Sequence, residues 1–125
     1  MMNQIETMVA EMNAFSDEVW FNKMIPDFKS RFDEDHVKNL IDGNISRYSY
    51  GIDKGRRFSR VFKYDYGRPE SGRSVVWFVD MTTGKIYKAN GWKAASKYVR
   101  GHVDNWRDAM CQASSQGIYG FISCK

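Results

Sequence analysis

A chain of 125 residues, 42% hydrophobic and 15% aromatic, has the size and composition of one domain with a buried core, which excludes a wholly disordered polypeptide. No apolar run approaches the roughly 20 residues of a membrane-spanning helix, and Met1-Met2-Asn3-Gln4-Ile5-Glu6 lacks the basic start and apolar centre of a secretory signal, so a cytosolic protein is expected. The net charge of +4 is unevenly spread: residues 1–43 carry four Lys/Arg against nine Asp/Glu, residues 44–103 thirteen against four, and residues 104–125 two of each. Within one domain the chain thus reads as an acidic helical region (1–43), a basic β-rich region (44–103) and a C-terminal helix and tail (104–125), and the basic middle points to an anionic partner.

Ile5, Met8, Val9, Met12 and Phe15 recur at helical spacing, with Asn3, Glu6 and Glu11 on the other face, which predicts an amphipathic N-terminal helix. Ser16, followed by Asp17 and Glu18, is expected to cap a second helix carrying Val19, Trp20 and Met24, and Pro26 to stop it or open a new turn. Asp33 or Asp35 suits the cap of a third, through Val37, Leu40 and Ile41 to a closing Gly43.

From Asn44 the period changes to two. Residues 45–52 alternate weakly, and Asp53-Lys54-Gly55 signals a turn. Phe58, Arg60, Phe62, Tyr64 and Tyr66 then share one face of a strand, opposite Arg57, Ser59, Val61, Lys63 and Asp65. After a loop from Gly67 to Gly72, Ser74–Val79 has no polar face beyond Ser74 and reads as a central strand. Asp80-Met81-Thr82-Thr83-Gly84 fits a type I turn closed by a left-handed glycine, returning into Lys85–Lys88. Ala94–Val99 reads as a short helix; Asp104 caps a last helix carrying Trp106, Ala109, Met110 and Ala113; Ile118–Ile122 is β-prone. The expected fold is α+β: an antiparallel sheet of three to five strands, N-terminal helices, and one or two helices near the C-terminus.

No catalytic set is recognisable. His36 reads as an exposed polar residue and His102 as a loop residue; a Cys111–His pair has no neighbouring signature. Asp33-Glu34-Asp35 reads as helix capping, the glycines form no phosphate-binding motif, and two Cys with two His at scattered spacing make no metal signature. An enzyme, a metal and a cofactor are therefore not expected. Cys111 and Cys124 are expected as free thiols, with a bridge closing a C-terminal loop as the alternative in an oxidising compartment.

Binding is better supported. Arg56, Arg57, Arg60, Lys63, Arg68 and Arg73 come from adjacent strands and loops, and Lys93, Lys97 and Arg100 would share one face of a short helix. Trp77 and Phe78 read as core; Trp92, beside Gly91 and Lys93 at an element boundary, reads equally as core and as a surface for stacking a base.

The stretch from Gly72 to Val103, about a quarter of the chain, resembles a module of small bacteriophage proteins in its Val79-Asp80, Thr83-Gly84, Ile86-Tyr87-Lys88, Trp92-Lys93-Ala94 and Arg100-Gly101. With its size, helix-then-sheet order and aromatic tail, the chain is similar to the phage anti-Thoeris sponge proteins. It departs from their pattern at Ala95, where a proline is expected, and at His102, where an asparagine is expected. The resemblance implies a non-catalytic protein of the infected host's cytoplasm that sequesters a cyclic ADP-ribose-type signal made by bacterial TIR-domain enzymes, in a pocket between protomers of a homo-oligomer. It further implies that Trp92 stacks on adenine, His102 occupies an amide-contact position, Arg57 and Arg100 bind the pyrophosphate, and Phe121 belongs to a segment closing over the ligand. Two other readings rest on charge: a small basic nucleic-acid-binding protein, and an anti-CRISPR-like protein inhibitor whose acidic helices mimic nucleic acid.

Overall fold

A computed structural model describes residues 1–39, 41–42, 48–66, 70 and 72–109. Helix α1 (Met2–Val19) runs through a wider π-helical stretch (Trp20–Met24) into α2 (Ile25–Arg31), and α3 is Glu34–Asn39. Strands β1 (Tyr48–Asp53), β2 (Phe58–Asp65), β3 (Arg73–Asp80), β4 (Lys85–Ala89) and β5 (Ala95–His102) form one antiparallel sheet in chain order, and a 3-10 segment, Val103–Ala109, follows. The architecture is the expected α+β, with the longest run, Ser74–Val79, in the central strand.

The apolar stripe of α1, Ile5, Met8, Val9 and Met12, is buried against Tyr50, Val61, Trp77, Val79 and Ile86 of the sheet. The expected break at Ser16 does not occur. Its hydroxyl donates to the Tyr48 carbonyl at 2.8 Å, so it serves β1 and caps no helix. One turn earlier, Asn13 Nδ2 donates to the Tyr50 carbonyl at 3.1 Å and its Oδ1 accepts the Tyr50 N–H at 2.8 Å. The side-chain amide thus takes the place of a neighbouring strand's peptide along the outer edge of β1.

Pro26 opens α2 in its first turn, and Asp33 caps α3 by accepting the His36 N–H at 2.8 Å. Val19, Trp20, Met24, Phe28 and Val37 form a separate small core, with Trp20 and Phe28 edge-to-face at 6.1 Å.

In the sheet, Val61 pairs with Trp77 while Phe62 pairs with Val75, leaving Val76 as the extra residue of a bulge. The bulge lets the consecutive Val76 and Trp77 both enter the core under α1, which accounts for a strand without a polar face. The next turn forms as expected: Gly84 has φ +77° and donates to the Asp80 carbonyl at 2.9 Å. Asp80 Oδ1 accepts the Thr82 and Thr83 N–H groups at 2.7 and 3.2 Å.

One expectation is corrected, and a second takes a tighter helical form. Ala94–Val99 is not a helix; Ala95–His102 is β5, with Ala95 opposite Ala89 and Val99 opposite Tyr87. A helix of six residues gains little by itself, whereas the edge of β4 offers Tyr98 and Val99 a ladder that suits aromatic and β-branched residues. Lys93, Lys97 and Arg100 therefore share no helix face. The helix expected from Asp104 is, over the described residues, a 3-10 segment kinked at Asn105; the Val103 N–H donates to the Gly84 carbonyl at 3.0 Å, and Trp106 is seated beneath α1 with its Nε1 donating to Glu11 Oε2 at 2.9 Å. Gly43, Ile45, Met110, Cys111, Ala113, the segment 118–122 with Phe121, and Cys124 lie outside the described residues.

Candidate ligand-binding face of the sheet

Cross-strand pairing assigns the two faces. Val61 and Trp77 point to α1, so Arg60 and Phe78, paired with each other one step along, point away, as do Phe58 and Phe62. On this second face Asp53 accepts from two arginines, Arg60 Nη1 at 2.9 Å and Arg73 Nη1 at 3.2 Å. The Asn90–Ala94 connection, closed by the Asn90 N–H donating to the Ala94 carbonyl at 2.8 Å, brings Trp92 over the same face. Arg60 Nε donates to the Trp92 carbonyl at 2.8 Å, and its guanidinium carbon lies 4.1 Å from the centre of the Trp92 ring. That of Arg73 stands 4.4 Å from the Phe62 ring and 5.2 Å from the Trp92 ring. Gly51 makes room for this stack, because a Cβ there would come within 2.6 Å of Phe62 Cζ.

Beside the stack is a hollow of about 470 Å³, floored by Phe58 and Phe78, with Arg60 on one side and Lys54 and Lys93 at its walls. Phe58 meets Tyr87 edge-to-face at 5.5 Å, which fixes the floor. Lys54 and Lys93 are exposed, so their charge is free to meet an anion, and Asp53 supplies an acceptor for hydroxyl groups. This chemistry fits a flat ring with hydroxyls and phosphates. A hollow of about 520 Å³ lies in the helical layer between Phe32, Val37 and Ile41, and its lining is mainly apolar. Among the described residues, no group of three or more His, Cys, Asp and Glu converges as metal ligands do.

Of the residues singled out from sequence, Lys93 lines the hollow, whereas Trp92 stands in the neighbouring stack against Arg60 and Arg73. Arg57 stands exposed beside the floor, its guanidinium carbon 5.2 Å from the Phe58 ring. Lys97 and Arg100 do not join them; both flank Tyr98 on β5, at 5.5 and 5.6 Å from its ring. His102 is engaged by its own chain: Nε2 donates to the Thr83 carbonyl at 2.9 Å, and Nδ1 lies 3.2 Å from the Asp104 backbone nitrogen and 3.4 Å from the Asp104 carboxylate. Phe121 lies outside the described residues. Asp53, read from sequence only as part of a turn, organises the face, and Phe78 floors the hollow from the side away from the helices. The signal available for Arg60 was its place on the aromatic face of β2, between Phe58 and Phe62.

On the helix side, Lys63 is half-buried with its Nζ 4.6 Å from the Tyr48 ring, and burial lowers its pKa below the ordinary lysine value.

Fold and face together define a small α+β protein, with helices on one side of a five-stranded antiparallel meander and a cationic, aromatic hollow on the other. The chain belongs to a family of unknown function, DUF7717, whose model matches residues 2–122. No curated protein and no solved structure matches it. Among the described residues no helix is long and apolar enough to cross a membrane.

Proposed function

We propose that this protein is a non-catalytic, phage-encoded binding protein that captures a cyclic ADP-ribose-type signalling nucleotide in the cytoplasm of the infected host. The observation that carries the reading is the hollow on the second face, where two aromatic rings lie beneath Lys54, Arg60 and Lys93. A base rests on the Phe58 ring, exposed lysines meet the phosphates, and Asp53 accepts from ribose hydroxyls. The resemblance of residues 72–103 selects the ligand class, and it implies a second protomer completing the pocket; of the two arginines it assigns to the pyrophosphate, Arg57 stands beside Phe58 and Arg100 lies apart on β5.

The test is to incubate the purified protein with the product of a TIR-domain enzyme, remove unbound material, denature by heat and identify what is released by mass spectrometry. Intact ligand is expected, with a doubled or higher mass in native mass spectrometry. Release of a hydrolysed product, or no capture at micromolar protein, refutes the reading.

A further inference from the structure

The cations of the basic region fall into two populations. Arg60 and Arg73 share one counter-anion, Asp53, whereas Lys85, Lys88, Lys93, Lys97 and Arg100 belong to a stretch, residues 81–103, that contains no Asp or Glu. Part of that uncompensated charge gathers on β5. At the other end of the sheet Asn13 and Ser16 seal the edge of β1, so among the described residues β5 carries the open edge. There Tyr98 is 54% exposed, enough to present its ring to a ligand, and it is bracketed by Lys97 and Arg100. Arg100 has no carboxylate partner among the described residues, and its buried Nε has no hydrogen-bond acceptor. Turning that guanidinium outward onto a phosphate removes the cost of the orphaned donor. Lys88 of β4 joins Lys97 and Tyr98 around a hollow of about 460 Å³.

We infer that the β4–β5 edge is a second binding surface, separate from the nucleotide hollow, whose ligand is single-stranded nucleic acid. A base stacks on Tyr98, and Lys88, Lys97 and Arg100 take the flanking phosphates. The strand is single because an exposed ring offers its face only to a base free of duplex stacking. The inference does not rest on nucleotide capture at the hollow. It differs from the simpler account in which the bulges and cations of β5 only prevent edge-to-edge aggregation. Charge of either sign serves that purpose; only positive charge serves a phosphate chain.

The experiment is fluorescence anisotropy of the full chain with a labelled oligothymidylate of about 16 nucleotides. Binding is expected at about 50 mM salt, weakening with a log–log slope near −2 if about three phosphates are neutralised. Tyr98→Ala is expected to weaken it about 10-fold, and Tyr98→Phe, which keeps the ring, to retain it. Lys97→Glu with Arg100→Glu should abolish binding while the chain stays monodisperse, and Lys38→Glu on α3 should leave binding unchanged. An absence of binding at low salt, full binding by the doubly reversed chain or by Tyr98→Ala, or equal affinity for a duplex of the same length would overturn the inference.

Discussion

Arg60 and Trp92 are joined twice: the arginine Nε donates to the tryptophan carbonyl at 2.8 Å, and the guanidinium carbon lies 4.1 Å from the centre of the indole ring. One side chain thereby fixes both the backbone and the ring of the β4–β5 connection over the sheet. Arg60→Leu is expected to cost about 1–2 kcal/mol, the sum of a charge-assisted hydrogen bond and a partly exposed cation–π contact. The melting temperature should fall by several degrees. A fluorotryptophan NMR signal assigned to Trp92 should broaden or shift while that of the buried Trp77 stays in place.

Asp53 holds Arg60 and Arg73 as an internal counter-anion. Replacing it with asparagine frees one positive charge on the face. Asp53→Asn should tighten binding of inorganic pyrophosphate several-fold in calorimetry and lower stability by about 1 kcal/mol or less, as expected of partly exposed ion pairs. Unchanged anion affinity would contradict this role for Asp53.

Gly51 gives Phe62 its place, and a methyl group there would meet the Phe62 ring. Gly51→Ala is expected to cost about 1–3 kcal/mol in chemical denaturation by overpacking. It should also displace the Arg73 guanidinium, which lies 4.4 Å from the Phe62 ring and pairs with Asp53.

Asn13 makes two hydrogen bonds to the backbone of Tyr50. Asn13→Ala leaves the Tyr50 N–H and carbonyl without these partners and should cost about 1–3 kcal/mol. Because the β1 edge is then open, light scattering should show association on mild heating that the native chain does not show.

Lys63 gives a pH dependence of defined sign. Burial lowers its pKa in the folded state, so the unfolded chain holds the proton more tightly. Between the folded-state value and the ordinary value near 10.4, unfolding takes up protons and the contribution of this group to stability rises with pH; well below that window it is flat. Lys63→Met should be more stable than the native chain at neutral pH, and thermal melts should show the gap narrowing as the solution becomes alkaline.

The elements most legible in the sequence were those in which local pattern and tertiary need agree. The stripe Ile5, Met8, Val9, Met12 predicts its helix because the spacing that makes a helix also faces the sheet, and Asp80–Gly84 predicts its turn because one carboxylate and one left-handed glycine close it. Ser16 misled because a residue that favours caps here bonds a strand 32 positions away. Ala94–Val99 misled because the local pattern of a short segment carries no information about a neighbouring strand's open edge. The candidate site was legible in kind but not in membership. Trp92 and Lys93 were visible as an aromatic–cation pair, whereas the parts played by Asp53 and Phe78 arise from register, which only pairing of β1, β2 and β3 fixes.

The bond from Trp106 to Glu11 joins positions 95 apart. Helix α1 is made early, yet its methionine-bearing stripe is fully covered only once Trp106 has arrived. While the later strands are still being synthesised, that stripe is a sticky surface awaiting its cover. Until residue 106 has been made, that stripe lacks part of its cover and stays open to chaperones and proteases.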